Sequence, residues 1–193
     1  QREIGMDTGS WENALKNAMR QAPDCILIGE IRDRETMQAA LAYAQTGHLC
    51  LATLHANNAY HAMNRIINFF AIENRPLLFL DLSVSLKAII SQRLIKKPDG
   101  MRSPAVEILL NTRHIQELIE RGEINSIKEA MEQSMAPGSQ TFEQDLFRLY
   151  RENVITLDEA LANADSPTNL SWLINNSQFG ASSGQDNPKQ MSN

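Results

Sequence analysis

The 193 residues suit one ordinary domain or a domain with a small appendage, and 42% hydrophobic residues are enough for a packed core. A net charge of −5 provides no global basic field for nucleic acid or anionic lipid. The two cysteines, Cys25 and Cys50, lie inside apolar runs, which predicts buried reduced thiols rather than a disulfide or zinc framework.

Gln1 stands where an initiator methionine would, and no basic-then-apolar leader follows. The sequence is therefore expected to be part of a longer chain. No apolar stretch reaches the ~20 residues that a membrane-spanning helix needs.

Along the chain, Ser10 is the expected cap of a first helix, with Trp11, Ala14, Leu15, Ala18 and Met19 on one face. Pro23 closes that helix. Cys25-Ile26-Leu27-Ile28-Gly29 is an unbroken apolar run, the pattern of a strand covered on both faces. Asp33 is placed to cap a second helix lined inside by Thr36, Met37, Ala40, Leu41 and Ala44, with Gly47 as its left-handed terminator. A second buried strand follows over 48–54 and ends at His55. Asn57 or Asn58 then caps a third helix bearing Ala62, Met63, Ile66, Ile67 and Phe70.

Strand–helix–strand–helix order with short loops implies parallel pairing and a three-layer α/β sheet. A further helix is predicted from Pro76 to about Leu94, with Leu78, Leu82, Ser85, Leu86, Ile89 and Ile90 facing inward. Lys97-Pro98-Asp99-Gly100 signals a turn, and 105–110 a strand. Beyond Asn111 the pattern is helical: Ile115, Leu118 and Ile119, then Ile124, Ile127 and Met131. Capping boxes start at Thr141 and Thr156, and a last short helix starts at Ser166-Pro167. The predicted divisions are a core over 1–111, a helical region over 112–175 and a disordered tail over 176–193.

Ligands of open α/β sheets bind where parallel strands end, because loops and helix N-termini converge there. Glu30 follows the first strand and His55 the second, with Arg32 and Thr53 close by. A carboxylate at such a position suits the second half of a P-loop NTPase site, orienting or deprotonating a water or holding Mg²⁺ through its shell. Glu30 equally suits a cap or turn, and His55 equally suits a hydrogen bond to a loop carbonyl. His48, at the other end of its strand, has the weaker case as a ligand. His61 and His114 read as surface residues. None of the nine glycines opens a G-x-x-x-x-G-K-[ST] loop, so the chain alone is expected not to bind or hydrolyse ATP competently.

The segments from Asp24 to Asp33 and from Thr46 to Ala56, in that order, resemble the Walker B and His-box segments of the secretion ATPase superfamily, and the likeness covers nearly all the chain. Within it the chain looks most like the pilus retraction branch, and nearer its PilU-type members than its PilT-type members. His114-Ile115-Gln116-Glu117-Leu118-Ile119-Glu120-Arg121 keeps the apolar spacing of the retraction motif but lacks its Arg-Asn core, and Ala56-Asn57-Asn58-Ala59 and Leu109-Leu110-Asn111-Thr112 look PilU-like.

The resemblance implies a fold that is the C-terminal half of a RecA-like P-loop ATPase core followed by an all-helical region. It implies a catalytic Glu30 and His55, with His48, Arg32 and Thr53 in nucleotide binding or support. ATP and Mg²⁺ would be the cofactors, with a PAS-like domain, the Walker A loop and an Asp box lying upstream. It also implies a cytoplasmic homohexamer at the inner-membrane base of a type IV pilus, driving retraction and twitching motility. Its partners would be a PilT-type paralogue and the platform protein, with no nucleic acid. The alternative it leaves is an accessory, non-autonomous subunit that binds a PilT-type motor or the pilus platform and has little ATPase activity of its own.

Overall fold

Two short parallel strands carry the candidate motifs. The computed structural model describes residues 5–10, 13, 14, 17, 18, 20, 21 and 23–182, with side chains as far as residue 176. Trp11, Leu15 and Met19 of the first predicted helix lie outside the described residues, but its cap is in place: Ser10 Oγ accepts the Asn13 N–H at 3.2 Å.

Strand β1 (Cys25–Ile28) pairs in parallel with β2 (Leu49–Ala52), Ile28 opposite Ala52. The connecting helix α1 (Arg34–Gln45) is capped by Asp33, whose Oδ1 accepts the Thr36 N–H at 2.8 Å and the Thr36 hydroxyl at 2.7 Å. Gly47, at φ +92°, ends it: its N–H reaches the Ala44 carbonyl while the His48 N–H reaches that of Tyr43. This is the paired closure of a Schellman turn, and it requires a residue tolerant of the left-handed region. Helix α2 (Ala59–Asn68) is capped by Asn58, which decides between the two asparagines.

The expected burial of both strands is corrected. Leu27 is 71% exposed and Leu49 and Leu51 about half exposed, while Cys25 is exposed and Cys50 half-buried. A two-stranded sheet packed by α1 has one covered side, and the apolar residues of the other side stand open.

Helix α3 (Arg75–Ser85) is the second correction, because it stops nine residues short of Leu94. Leu86 turns to extended backbone, φ −61° and ψ 136°, and Ala88–Lys96 is strand β3, in which Ile90 and Leu94 are exposed. The cause is long-range. Asn111 Nδ2 donates to the Ser83 and Leu86 carbonyls at 2.8 and 2.9 Å, and its N–H to Lys87 O at 3.0 Å. The carbonyls that the helix end leaves open are thus satisfied by a residue 25 or more positions away. β3 pairs with β4 (Arg102–Leu110) across the Lys97–Gly100 turn, and so short a connection requires antiparallel pairing.

The described residues form two compact units. The first takes residues up to Ile89 together with Leu110–Ala136, and so includes α4 (Arg113–Glu120) and α5 (Ile127–Glu132). Its core includes Ile28, Met37, Met63, Ile66, Leu78, Leu82, Ile115 and Ile119.

The second unit takes Ile90–Leu109 and the chain from Pro137. Helices α6 (Phe142–Arg151), α7 (Leu157–Asn163) and α8 (Pro167–Ser182) close over Ile95 and Ala105 with Phe142, Leu146, Leu149, Ile155, Ala160 and Leu170. Thr141 and Gln144 form the predicted capping box. Helix α8 runs on past Asn175 to Ser182, and residues 183–193 lie outside the described residues. Among the described residues no helix is long and apolar enough to cross a membrane.

Candidate functional site at the strand ends

Parallel pairing brings the ends of β1 and β2 together. The Ile31 N–H donates to Thr53 O at 2.9 Å, and the Thr53 hydroxyl donates to the Gly29 carbonyl, so the contact continues past the end of each strand. Glu30 therefore emerges opposite the segment that carries His55.

Glu30 Oε2 accepts from Arg32 Nε at 2.5 Å, and Oε1 lies 3.2 Å from His55 Nε2. A carboxylate only accepts, so the His55 tautomer that fits this contact carries its proton on Nε2. The Glu30 side chain is 19% exposed, whereas those of Arg32 and His55 are 76% and 80% exposed. The carboxylate is thus partly sheltered beneath two groups that reach into solvent. Ion pairs this exposed contribute about 0–1 kcal/mol to stability, so fold stability is a poor reason for the arrangement.

Four of the five predicted site residues, Glu30, Arg32, Thr53 and His55, share this place. Thr53 ties the two strand ends through its own backbone and hydroxyl. His48 stands apart, four strand residues or roughly 13 Å away along β2. Its Nδ1 is 2.9 Å from Thr46 Oγ1, and its ring lies edge-on to Tyr43 with centroids 6.2 Å apart. Contact between the residue after a Schellman glycine and the third-last helical residue is the usual companion of that turn. Termination of α1 thus accounts for the local surroundings of His48.

Sequence reasoning missed Arg65. Its Nη1 donates to the His55 carbonyl at 3.0 Å. The available signal was a lone cation on α2 between the buried Met63 and the buried Ile66–Ile67 pair, one helical face away from the core.

Among the described residues no three His, Cys, Asp or Glu side chains gather to hold a metal ion. Glu30 offers a divalent ion a single carboxylate. Mg²⁺ tolerates that, because it keeps several waters and takes phosphate oxygens as further ligands. One sheltered carboxylate beside two outward-reaching groups fits the water-facing side of a phosphoryl-transfer centre, and no glycine of the sequence opens a G-x-x-x-x-G-K-[ST] loop.

Residues 5–102 match the family model described as type II/IV secretion system protein. The chain is 53% identical over 175 residues to the type IV pilus ATPase PilU of Pseudomonas aeruginosa, covering 90% of this chain and 46% of that protein. It is 38% identical over 170 residues to the type IV pilus retractation ATPase PilT of the same organism, covering 88% of this chain and 49% of that protein. The crystal structure of the pilus retraction motor PilT with bound ADP superposes with a TM-score of 0.78 at 38% identity, over 89% of this chain and 48% of that one. The chain spans about half the length of the curated relatives it matches.

Proposed function

The chain belongs to the type II/IV secretion system protein family, as a PilU-like member of its type IV pilus ATPases, and on that premise we propose that it supplies the water-activating half of a pilus retraction motor. The fold is that of the C-terminal half of a RecA-like ATPase core. The observation that carries the proposal is the convergence of Glu30 and His55, at 3.2 Å, on the ends of adjacent parallel strands.

ATP with Mg²⁺, when bound, supplies the phosphoanhydride bond and the charge neutralisation at its phosphates. The chain's own residues do the rest of the work on this side. The Glu30 carboxylate accepts a hydrogen of the attacking water and so orients it. His55 and Arg32 each occupy one carboxylate oxygen, and both project outward from it. Residues 1–111 supply the second part of the ATPase core and 112–175 a helical region that transmits or receives force. The remaining phosphate contacts, Walker A included, come from outside these residues, so this chain by itself releases no phosphate above background. The whole protein works on this reading as a cytoplasmic homohexamer at the inner-membrane base of the pilus. It meets the platform protein there and drives pilus disassembly.

Glu30→Gln in the full-length protein keeps the shape and loses the base. Steady-state ATP turnover is expected to fall by at least about 100-fold while nucleotide binding persists. Turnover that stays at the parent level sinks the assignment.

A second reading follows from the altered Ile115–Arg121 segment of α4 and its end, where half-buried Gln116 and Glu117 stand in place of the retraction motif's Arg-Asn core and Glu120 and Arg121 are exposed. A changed outer surface suits a changed partner, and on this reading the protein is an accessory subunit of a PilT-type motor. Capture of such a motor by the full-length protein supports it. Retraction driven by this protein alone argues against it.

A further inference from the structure

We propose that Arg65 is a positioning residue that fixes the loop bearing His55, an inference that rests on the functional reading above. The loop between β2 and α2 is anchored at one end by Thr53, bonded to the β1 segment, and at the other by Asn58, whose Oδ1 accepts the His61 N–H at 2.8 Å. Between these anchors the Arg65 guanidinium donates to the His55 carbonyl at 3.0 Å from ten residues away. A guanidinium is a permanent cation, so this is a charge-assisted bond of the stronger kind. Holding that carbonyl fixes the peptide plane next to the His55 Cα, and through it the direction in which the imidazole leaves the backbone. A small rotation there would carry Nε2 out of its 3.2 Å contact with Glu30 Oε1.

Arg65 bonds to the His55 backbone and makes no hydrogen bond or ion pair with the Glu30 carboxylate or the imidazole ring, so its effect is transmitted through His55. It is exposed, while its helical neighbours Met63, Ile66 and Ile67 are buried. Arg65→Met keeps an apolar stem of similar reach and removes the donors, leaving the core of α2 untouched. A role confined to stability would therefore leave the substitution nearly silent, whereas a positioning role would not.

The test uses the full-length protein with Arg65→Met, and with Glu30→Gln alongside. Hydrogen exchange of peptides covering 53–58 is expected to quicken roughly two- to tenfold, as befits one lost hydrogen bond, while exchange in α2 and the melting temperature hold. The kcat for ATP is expected to fall roughly 10- to 100-fold with KM unchanged, because a displaced reacting group costs rate and not binding. Unchanged exchange over 53–58 overturns the proposal whatever happens to turnover. Faster exchange with unchanged kcat overturns it too. Turnover that survives Glu30→Gln overturns the underlying functional reading instead, and is distinguishable because it leaves the exchange result for Arg65→Met standing.

Discussion

The hairpin unit and the strand-end unit treat their charged groups in opposite ways: the buried carboxylates Glu107, Glu143 and Asp145 all belong to the hairpin unit. In the hairpin unit, buried acids are consumed by the fold. Asp145 accepts the Val106 N–H at 2.8 Å and binds Arg148, Glu143 accepts the Ser166 N–H at 2.7 Å, and Arg93 lies 4.0 Å over the Phe142 ring while donating to Asn163 O and Asp165. The Arg148 guanidinium, hydrogen-bonded to Asp145, titrates even higher than usual. In the strand-end unit, Glu30, Arg32 and His55 bond mainly to one another, two of them extend into solvent, and the leucines of β1 and β2 stand open beside them. Satisfied buried polar groups fix a structure, whereas a polar cluster that contributes little to stability at an open strand end is where chemistry or contact is to be sought.

The sharpest way to break this contrast is to truncate one apolar residue in each unit. Phe142→Ala removes a fully buried ring and is expected to cost about 3–5 kcal/mol, read by urea unfolding. Leu27→Ala, on the open strand, is expected to stay within about 1 kcal/mol. A comparable loss at Leu27 would mean that the open side of the sheet is covered in solution. Gly122→Ala ranks next. Gly122 has φ +72° and ends α4, its N–H reaching Ile119 O while the Glu123 N–H reaches Leu118 O. An added Cβ would meet the Phe79 ring of α3 at 2.8 Å. Left-handed strain together with that contact is expected to cost about 1–3 kcal/mol in thermal unfolding. No loss of stability would show that the α3–α4 packing gives way freely.

Much of this was legible in the sequence where the controlling interactions are local. Asp33, Asn58, Thr141 and Thr156, each read from the sequence as a cap, accept the backbone N–H three residues on and start their helices, and Thr112, outside the set of predicted caps, does the same. The order of strand and helix placed Glu30 and His55 just past the ends of neighbouring parallel strands, and pairing then brought Arg32 and Thr53 with them. The misses are all non-local. The apolar period running through Leu82, Leu86 and Ile89 fits a helix, whereas the strand is supported by the distant Asn111 contacts and by pairing with β4. The apolar runs of β1 and β2 read as covered strands, but burial depends on what stands across from them. Arg65 carried no motif, because a hydrogen bond to a carbonyl leaves no side-chain signature at the acceptor.

The smallest expected effect concerns the turn that presents Glu30. Gly29 to Asp33 joins β1 to α1, and Asp33 closes it by capping the helix. The Asp33 carboxyl titrates below the ordinary aspartate range, chiefly because the Thr36 N–H, and next its hydroxyl, bond to the ionised form. A depressed folded-state pKa means that the stabilisation is fully present above the unfolded value of about 3.9 and disappears as pH falls through the folded one. Asp33→Ala should therefore cost about 1 kcal/mol near neutral pH, and its gap from the parent should shrink as the medium is acidified below about pH 4. Asp33→Asn keeps the acceptor without the charge, so it should sit close to the parent at pH 7 and lose less on acidification. A parent–alanine gap that persists undiminished in acid would assign the effect to the neutral hydrogen bond alone. In that case the ionised carboxylate contributes nothing to holding the turn in which Glu30 stands.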